Sequence, residues 1–178
     1  MSPVSRPAGG IASVEPAVYR GSGYRHQSPG YDPLAGEGAR IIGSRFNPAN
    51  SFPVLYLCTS RACAVAEFKR LGEQHVIGVS GLLPRELYKY QVQLSRVLDL
   101  TSPTTLAMIG IEPSRLVGPD WSECQQLGQD AYTAGFHAIR SRSATGVDEI
   151  LAVFSDRIGA EAKVEPRLVE VWSAEADL

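Results

Sequence analysis

The sequence predicts an α+β domain, and three stretches carry that prediction. Residues 53–58 form a short apolar run of strand formers, followed at 60–71 by a helix. Residues 87–100 are β-rich and alternate in part, as in Tyr88, Tyr90, Val92 and Leu94. Residues 120–134 read as a second long helix, with strands expected after it at 138–144 and 150–155. This interleaving alone also permits other α/β arrangements.

Taken in order, residues 1–14 hold Ser, Pro and Gly-Gly with little to pack, and a mobile arm is expected there. Ala17, Val18 and Tyr19 read as a short strand ending at Arg20. Residues 21–43, rich in Gly and aromatics, read as a long loop covering a site. Residues 43–48, Gly-Ser-Arg-Phe-Asn-Pro, form a tight polar loop carrying one guanidinium, that of Arg45. In the helix at 60–71, Ser60 is the N-cap and Ala64, Phe68 and Leu71 form the buried stripe. Glu67 sits at the edge of that stripe. A carboxylate there must reach water, be paired or have a task.

Val97 to Leu100 continue the β-rich run as a second strand or an extension. Ser102 with Pro103 marks a short helix, and Pro113 another turn. Asp120 with Glu123 forms a capping-box pattern, opening a helix that Gly135 closes and that buries Cys124, Leu127 and Ala131. Trp121 and Ser122 fall on its exposed first turn, where a packing staple and a cap are the plain roles. Residues 164–172 contain Pro166 and read as an edge strand. Residues 15–173 are expected to form one domain, with 174–178 as a short acidic tail.

Composition narrows the function classes. At 178 residues and 44% hydrophobic, the chain can bury a real core. A net charge of −2 gives no electrostatic reason for nucleic-acid binding. No apolar run approaches a membrane span and residues 1–13 lack a signal-peptide core, so a cytoplasmic protein is expected. The three cysteines, Cys58, Cys63 and Cys124, suggest no disulfide framework. His26, His75 and His137 are scattered without zinc-ligand spacing, so no metal is expected.

Tyr19-Arg20, Asp32-Pro33-Leu34, the Gly36–Arg40 segment, the 43–48 loop, Tyr56-Leu57 and Glu67 together resemble the RES domain, in that order. The resemblance covers about residues 18–154. It implies an ADP-ribosyltransferase-like fold: a mixed, mostly antiparallel sheet split around a cleft, with flanking helices. It implies a toxin that degrades NAD by phosphorolysis or hydrolysis, with a protein ADP-ribosyltransferase or a non-catalytic binding module as alternatives. The family's named Ser lies at the end of a strand. Ser143, followed by Ala144, matches best, with Ser141 and Ser122 as competitors. Either Tyr24 or Tyr31 faces the ligand. The Asp-Trp-Ser segment at 120–122 also resembles some RES toxins.

The chemistry of these residues suits such a substrate. Arg20 and Arg45 could grip a pyrophosphate bidentately, and Tyr56 could wall a flat ring. A carboxylate at Glu67 could hold a ribose hydroxyl and stabilise the charge that develops as an N-glycosidic bond opens. The expected catalytic set is therefore Glu67, Arg45, Tyr56 and Ser143, with Arg20, Tyr31, Trp121 and Ser122 binding NAD. The resemblance implies NAD as substrate and inorganic phosphate as co-substrate, and no cofactor is expected. The resemblance further implies a cognate helix-turn-helix, Xre-like antitoxin, with homo- or hetero-oligomers as a consequence.

Overall fold

The computed structural model describes residues 10–178. Residues 1–9 of the expected arm lie outside them. Packing begins earlier than the sequence suggests, because Ile11 and Val14 are both buried in a hydrophobic cluster. Two apolar side chains three apart suffice to hold the 10–14 turn down.

Strand β1 spans Ala17–Gln27 and does not stop at Arg20. Its glycines are points of close approach, not loop hinges. A Cβ on Gly23 would lie 2.9 Å from the Cδ1 of Leu57. The expected long loop therefore shrinks to residues 28–36, followed by a short helix α1, Glu37–Ile42. Strand β2 is Val54–Cys58 and helix α2 is Arg61–Glu73. Ser60 caps α2, its Oγ accepting from the Cys63 N–H at 3.0 Å. A further short helix, α3, Gly78–Leu82, fills the stretch where Gly72 and Gly78 interrupt the pattern.

The β-rich run is one strand, β3, Arg85–Asp99. Helix α4, Pro103–Ile109, starts under the Ser102 cap, and a 3-10 turn follows at Pro113–Leu116. Helix α5 is Ser122–Thr133. Asp120 acts one residue outside the helix, its Oδ1 accepting from the Ser122 N–H and Oγ–H at 3.0 and 2.7 Å. Glu123 lies 3.8 Å from the Arg115 guanidinium. The strands β4, Ala138–Arg142, β5, Glu149–Phe154, and β6, Ala162–Trp172, complete the chain.

All six strands belong to one sheet, antiparallel except for β3–β4. Where a split sheet is expected, the pairing closes on itself: β1–β2–β5–β4–β3 and back to β1. The length of β3 is the cause. One edge carries β1 from Glu86 to Val97, and the other carries β6 and then, at Val97 to Asp99, β4. Strand β6 pairs with β3 alone, the edge position that Pro166 suits.

Alternation then fixes three cores. Leu55, Leu57, Tyr90, Val92, Leu151 and Val153 fill the ring. On the outside of β2, β4 and β5, α4 and α5 bury Leu106, Cys124, Leu127, Ile139 and Phe154. On the outside of β1, β3 and β6, α2 buries Cys63, Ala64 and Phe68 against Leu87 and Trp172.

Candidate active site

The 43–48 turn is held on three sides. Gly43 has φ +83°, a conformation that favours glycine, and Ser44 and Asn47 bridge across the turn. The buried Asn47 donates from Nδ2 to the Ala39 carbonyl at 2.6 Å. The Tyr56 hydroxyl donates to Asn47 Oδ1 at 2.8 Å and accepts the Phe46 N–H at 2.9 Å. Gln125 of α5 donates to the Ser44 carbonyl at 3.0 Å. Burial pushes the Tyr56 phenol above its ordinary pKa, so it remains a neutral hydrogen-bonding strut. Tyr56→Phe should cost about 1–3 kcal/mol, because it leaves two turn groups unsatisfied. Thermal unfolding checks this, and an unchanged melting temperature would mean the strut is dispensable.

What this frame presents is Arg45. Its side chain is buried, with Nη1 donating to the carbonyls of Leu116 at 3.1 Å and Gly118 at 2.8 Å. The guanidinium lies 5.5 Å from the centre of the Trp121 ring. No carboxylate pairs with it among the described residues, and Arg stays charged when buried, so the charge is available to an anion.

Glu67 stands on α2 beside the buried Phe68. Its Oε1 accepts from the Ser143 Oγ–H at 2.8 Å. Ser143 is buried in the turn that follows β4, and its Oγ also meets Thr145 Oγ1 at 2.6 Å and the Thr145 N–H at 3.2 Å. The hydroxyl is therefore fixed in place, and it fixes the carboxylate.

Arg45, Tyr56, Glu67 and Trp121 line one cleft of about 440 Å³, and Ala144 brings the Ser143 turn to its edge. Tyr24 lines it too, whereas Tyr31 is 68% exposed and lies off it. Three other expected residues sit elsewhere. Arg20 lines a larger open groove on the outer face of β1, β3 and β6, with Lys89, Gln91 and Arg167. Ser122 is engaged with Asp120. Ser141 is buried in β4, its hydroxyl without a partner among the described residues. The cleft instead contains Arg25, His26 and Arg70. Continuing the strand pattern past Gly21 would have put Tyr24 and His26 on one face, and Arg70 lies three residues beyond Glu67 on α2. Among the described residues no group of three or more His, Cys, Asp or Glu is placed to hold a metal ion.

A cleft pairing a hydroxyl-held carboxylate with an uncompensated guanidinium, on a closed mixed sheet, defines a class. A family model for the RES domain matches residues 17–177, and the chain belongs to that family. It is 32% identical over 136 residues to the NAD(+) phosphorylase MbcT of Mycobacterium bovis and to that of Mycobacterium tuberculosis, covering 75% of this chain and 73% of each relative. A chain of the crystal structure of the M. tuberculosis MbcT–MbcA toxin–antitoxin complex superposes with a TM-score of 0.78 at 26% identity. That match covers 92% of this chain and 90% of the other.

Proposed function

We propose that this protein is a toxin that degrades NAD by cleaving the bond between nicotinamide and ribose, with inorganic phosphate as acceptor. The observation that carries the reading is the Glu67–Ser143 hydrogen bond in the same cleft as Arg45. Glu67 holds a ribose hydroxyl and stabilises the oxocarbenium-like charge as nicotinamide departs. Ser143 orients it. Phosphate oxygen then bonds to the ribose carbon, giving an ADP-ribose phosphate ester. Arg45 binds the pyrophosphate, with Arg25 and Arg70 taking the part expected of Arg20. The rings of Tyr56 and Trp121 flank the ligand. The ADP-ribosyltransferase likeness belongs to this reading as a likeness of the cleft, since the sheet itself is continuous.

A cognate helix-turn-helix antitoxin restrains the activity, and an acidic or carboxylate-ended segment entering the cleft beside Arg45 is the route its charge favours. No helix among the described residues is long and apolar enough to cross a membrane, and we place the reaction in the cytoplasm, with its substrate.

The test is a time course of NAD loss with phosphate present and absent. Loss that rises with phosphate supports phosphorolysis. Label passing from the adenylate half of NAD to a protein would instead mark an ADP-ribosyltransferase, and no loss under any condition would leave a binding module. Arg45→Ala should weaken ADP-ribose binding roughly 10- to 100-fold, the scale of a lost charge-assisted hydrogen bond. Arg45→Lys should not restore it, because a point ammonium cannot reproduce the fork. Titration calorimetry reads both, and full rescue by Lys would refute bidentate recognition.

A further inference from the structure

The cleft contains a histidine whose protonation state its neighbours determine. His26 lies in the last turn of the β1 pleat, its ring centroid 5.0 Å from that of Phe68 and 6.0 Å from that of Trp172. Arg85 of β3 approaches Nδ1 with two prongs, Nε at 3.2 Å and Nη2 at 2.9 Å, and anchors its third nitrogen, Nη1, on Ser28 Oγ at 2.6 Å. A guanidinium only donates. Nδ1 must therefore accept, so the ring proton sits on Nε2. Within the described residues Nε2 has no hydrogen-bond partner, although His26 lines the cleft together with Glu67.

We infer that His26 is a neutral ligand-binding donor, its Nε2–H directed at an oxygen of the ribose–pyrophosphate part of the ligand, and that Arg85 is the residue that positions it. The inference rests on the function proposed above. It differs from the part given to Arg45, which supplies charge. His26 supplies direction without charge, so it can approach close to the guanidiniums of Arg25 and Arg70 without repelling them.

The surroundings agree. Burial, then Arg85, then Arg25, lower the His26 pKa to about 3. The charged groups on the elements around it are Arg25 on β1, Arg85 on β3, Glu67 and Arg70 on α2, and Glu170 on β6, the last already paired with Arg61 at 2.7 Å. Since the folded pKa lies far below the ordinary value, the ring stays neutral from pH 5 to 8 and its donor is present throughout. Without Arg85 the ring remains buried beside Arg25 and stays neutral, because burial is the larger cause of its lowered pKa. Nothing then holds the proton on Nε2, so it is free to move to Nδ1 and donation into the cleft falls. Affinity is therefore expected to be lower in the variant than in the parent.

The experiment has two arms. In ¹⁵N-histidine-labelled protein without ligand, His26 should show the Nε2–H tautomer unchanged from pH 5 to 8, and in Arg85→Met the Nδ1–H tautomer should appear. A parental ring protonated on Nδ1, or titrating near pH 6.5, overturns the inference. In the second arm, ADP-ribose, whose phosphates stay ionised over this range, is titrated into the intact protein. His26→Phe keeps the ring stack and should weaken binding about tenfold or more. His26→Gln keeps a donor near Nε2 and should recover most of that loss; it also serves if His26→Phe fails to fold. Equal affinity for parent and folded His26→Phe, or for parent and donor-free His26→Leu where His26→Phe does not fold, overturns the donor role while leaving the proposed function standing. A parent that binds no ADP-ribose and consumes no NAD overturns both.

Discussion

Glu67→Gln is expected to abolish NAD consumption, by on the order of a hundredfold or more, while the fold is retained. The substitution keeps the shape of the side chain and its capacity to accept from Ser143, now 2.8 Å from Oε1. What it removes is the negative charge that, on the proposed mechanism, faces the ribose as the glycosidic bond opens. The measurement is NAD loss at saturating phosphate beside a thermal melt. Parental turnover in a well-folded Glu67→Gln protein would reduce Glu67 to a half-buried carboxylate satisfied by a serine. A lost melt would show instead that the charge of Glu67, and not only its acceptor oxygen, holds α2 to the β4–β5 turn.

Gly128→Ala carries the largest expected structural effect. In most helices this change is favourable by about 1 kcal/mol, since Ala has the better propensity. Here the added Cβ would lie 1.7 Å from the Phe46 carbonyl oxygen and 2.6 Å from its carbon. Both are backbone atoms, so no rotamer relieves the clash. Either α5 or the 43–48 turn must move, at a cost of about 3 kcal/mol and a melting temperature lower by on the order of 10 °C. Because the turn positions Arg45, ADP-ribose affinity should fall with stability. Gly38→Ala on α1 is the control: its Cβ would meet nothing within 4 Å, and it should stabilise slightly. A Gly128→Ala protein as stable as its parent would mean that α5 and the turn are not in the contact described.

The sequence was most legible where one residue's chemistry decides its local structure. Ser60 and Ser102 cap their helices as their positions imply, Pro166 lies on an edge strand, and Cys124, Leu127 and Ala131 are buried together. The proximity of Glu67 and Ser143, 76 residues apart, came from a family resemblance, because no local periodicity encodes it. Two misreadings have different sources. The glycines and aromatics of 21–43 suggest a loop; in β1, Gly21 faces the Tyr19 ring and Gly23 packs against Leu57, which only the fold reveals. The Tyr19-Arg20 resemblance places Arg20 in the site, whereas ending the strand early leaves out Arg25 and His26. Trp121 shows the opposite case: its position at a helix start says nothing of Arg45, which reaches it from 76 residues upstream.

The three-sided pairing of β3 governs when this protein can become active. Strand β1 is made first but finds its hydrogen-bond partners only after β3 has emerged, and β2 waits for β5 at Glu149–Phe154. Contacts so distant in sequence form late, after long loops have closed. A ribosome-bound chain therefore has Arg45 and Glu67 but no enclosed cleft, and Ser143 has not yet reached the carboxylate it orients. Under the proposed function the nascent chain therefore does not yet cleave NAD, and its exposed strand edges are its most adhesive surface. An antitoxin of the kind proposed would be needed only from chain release.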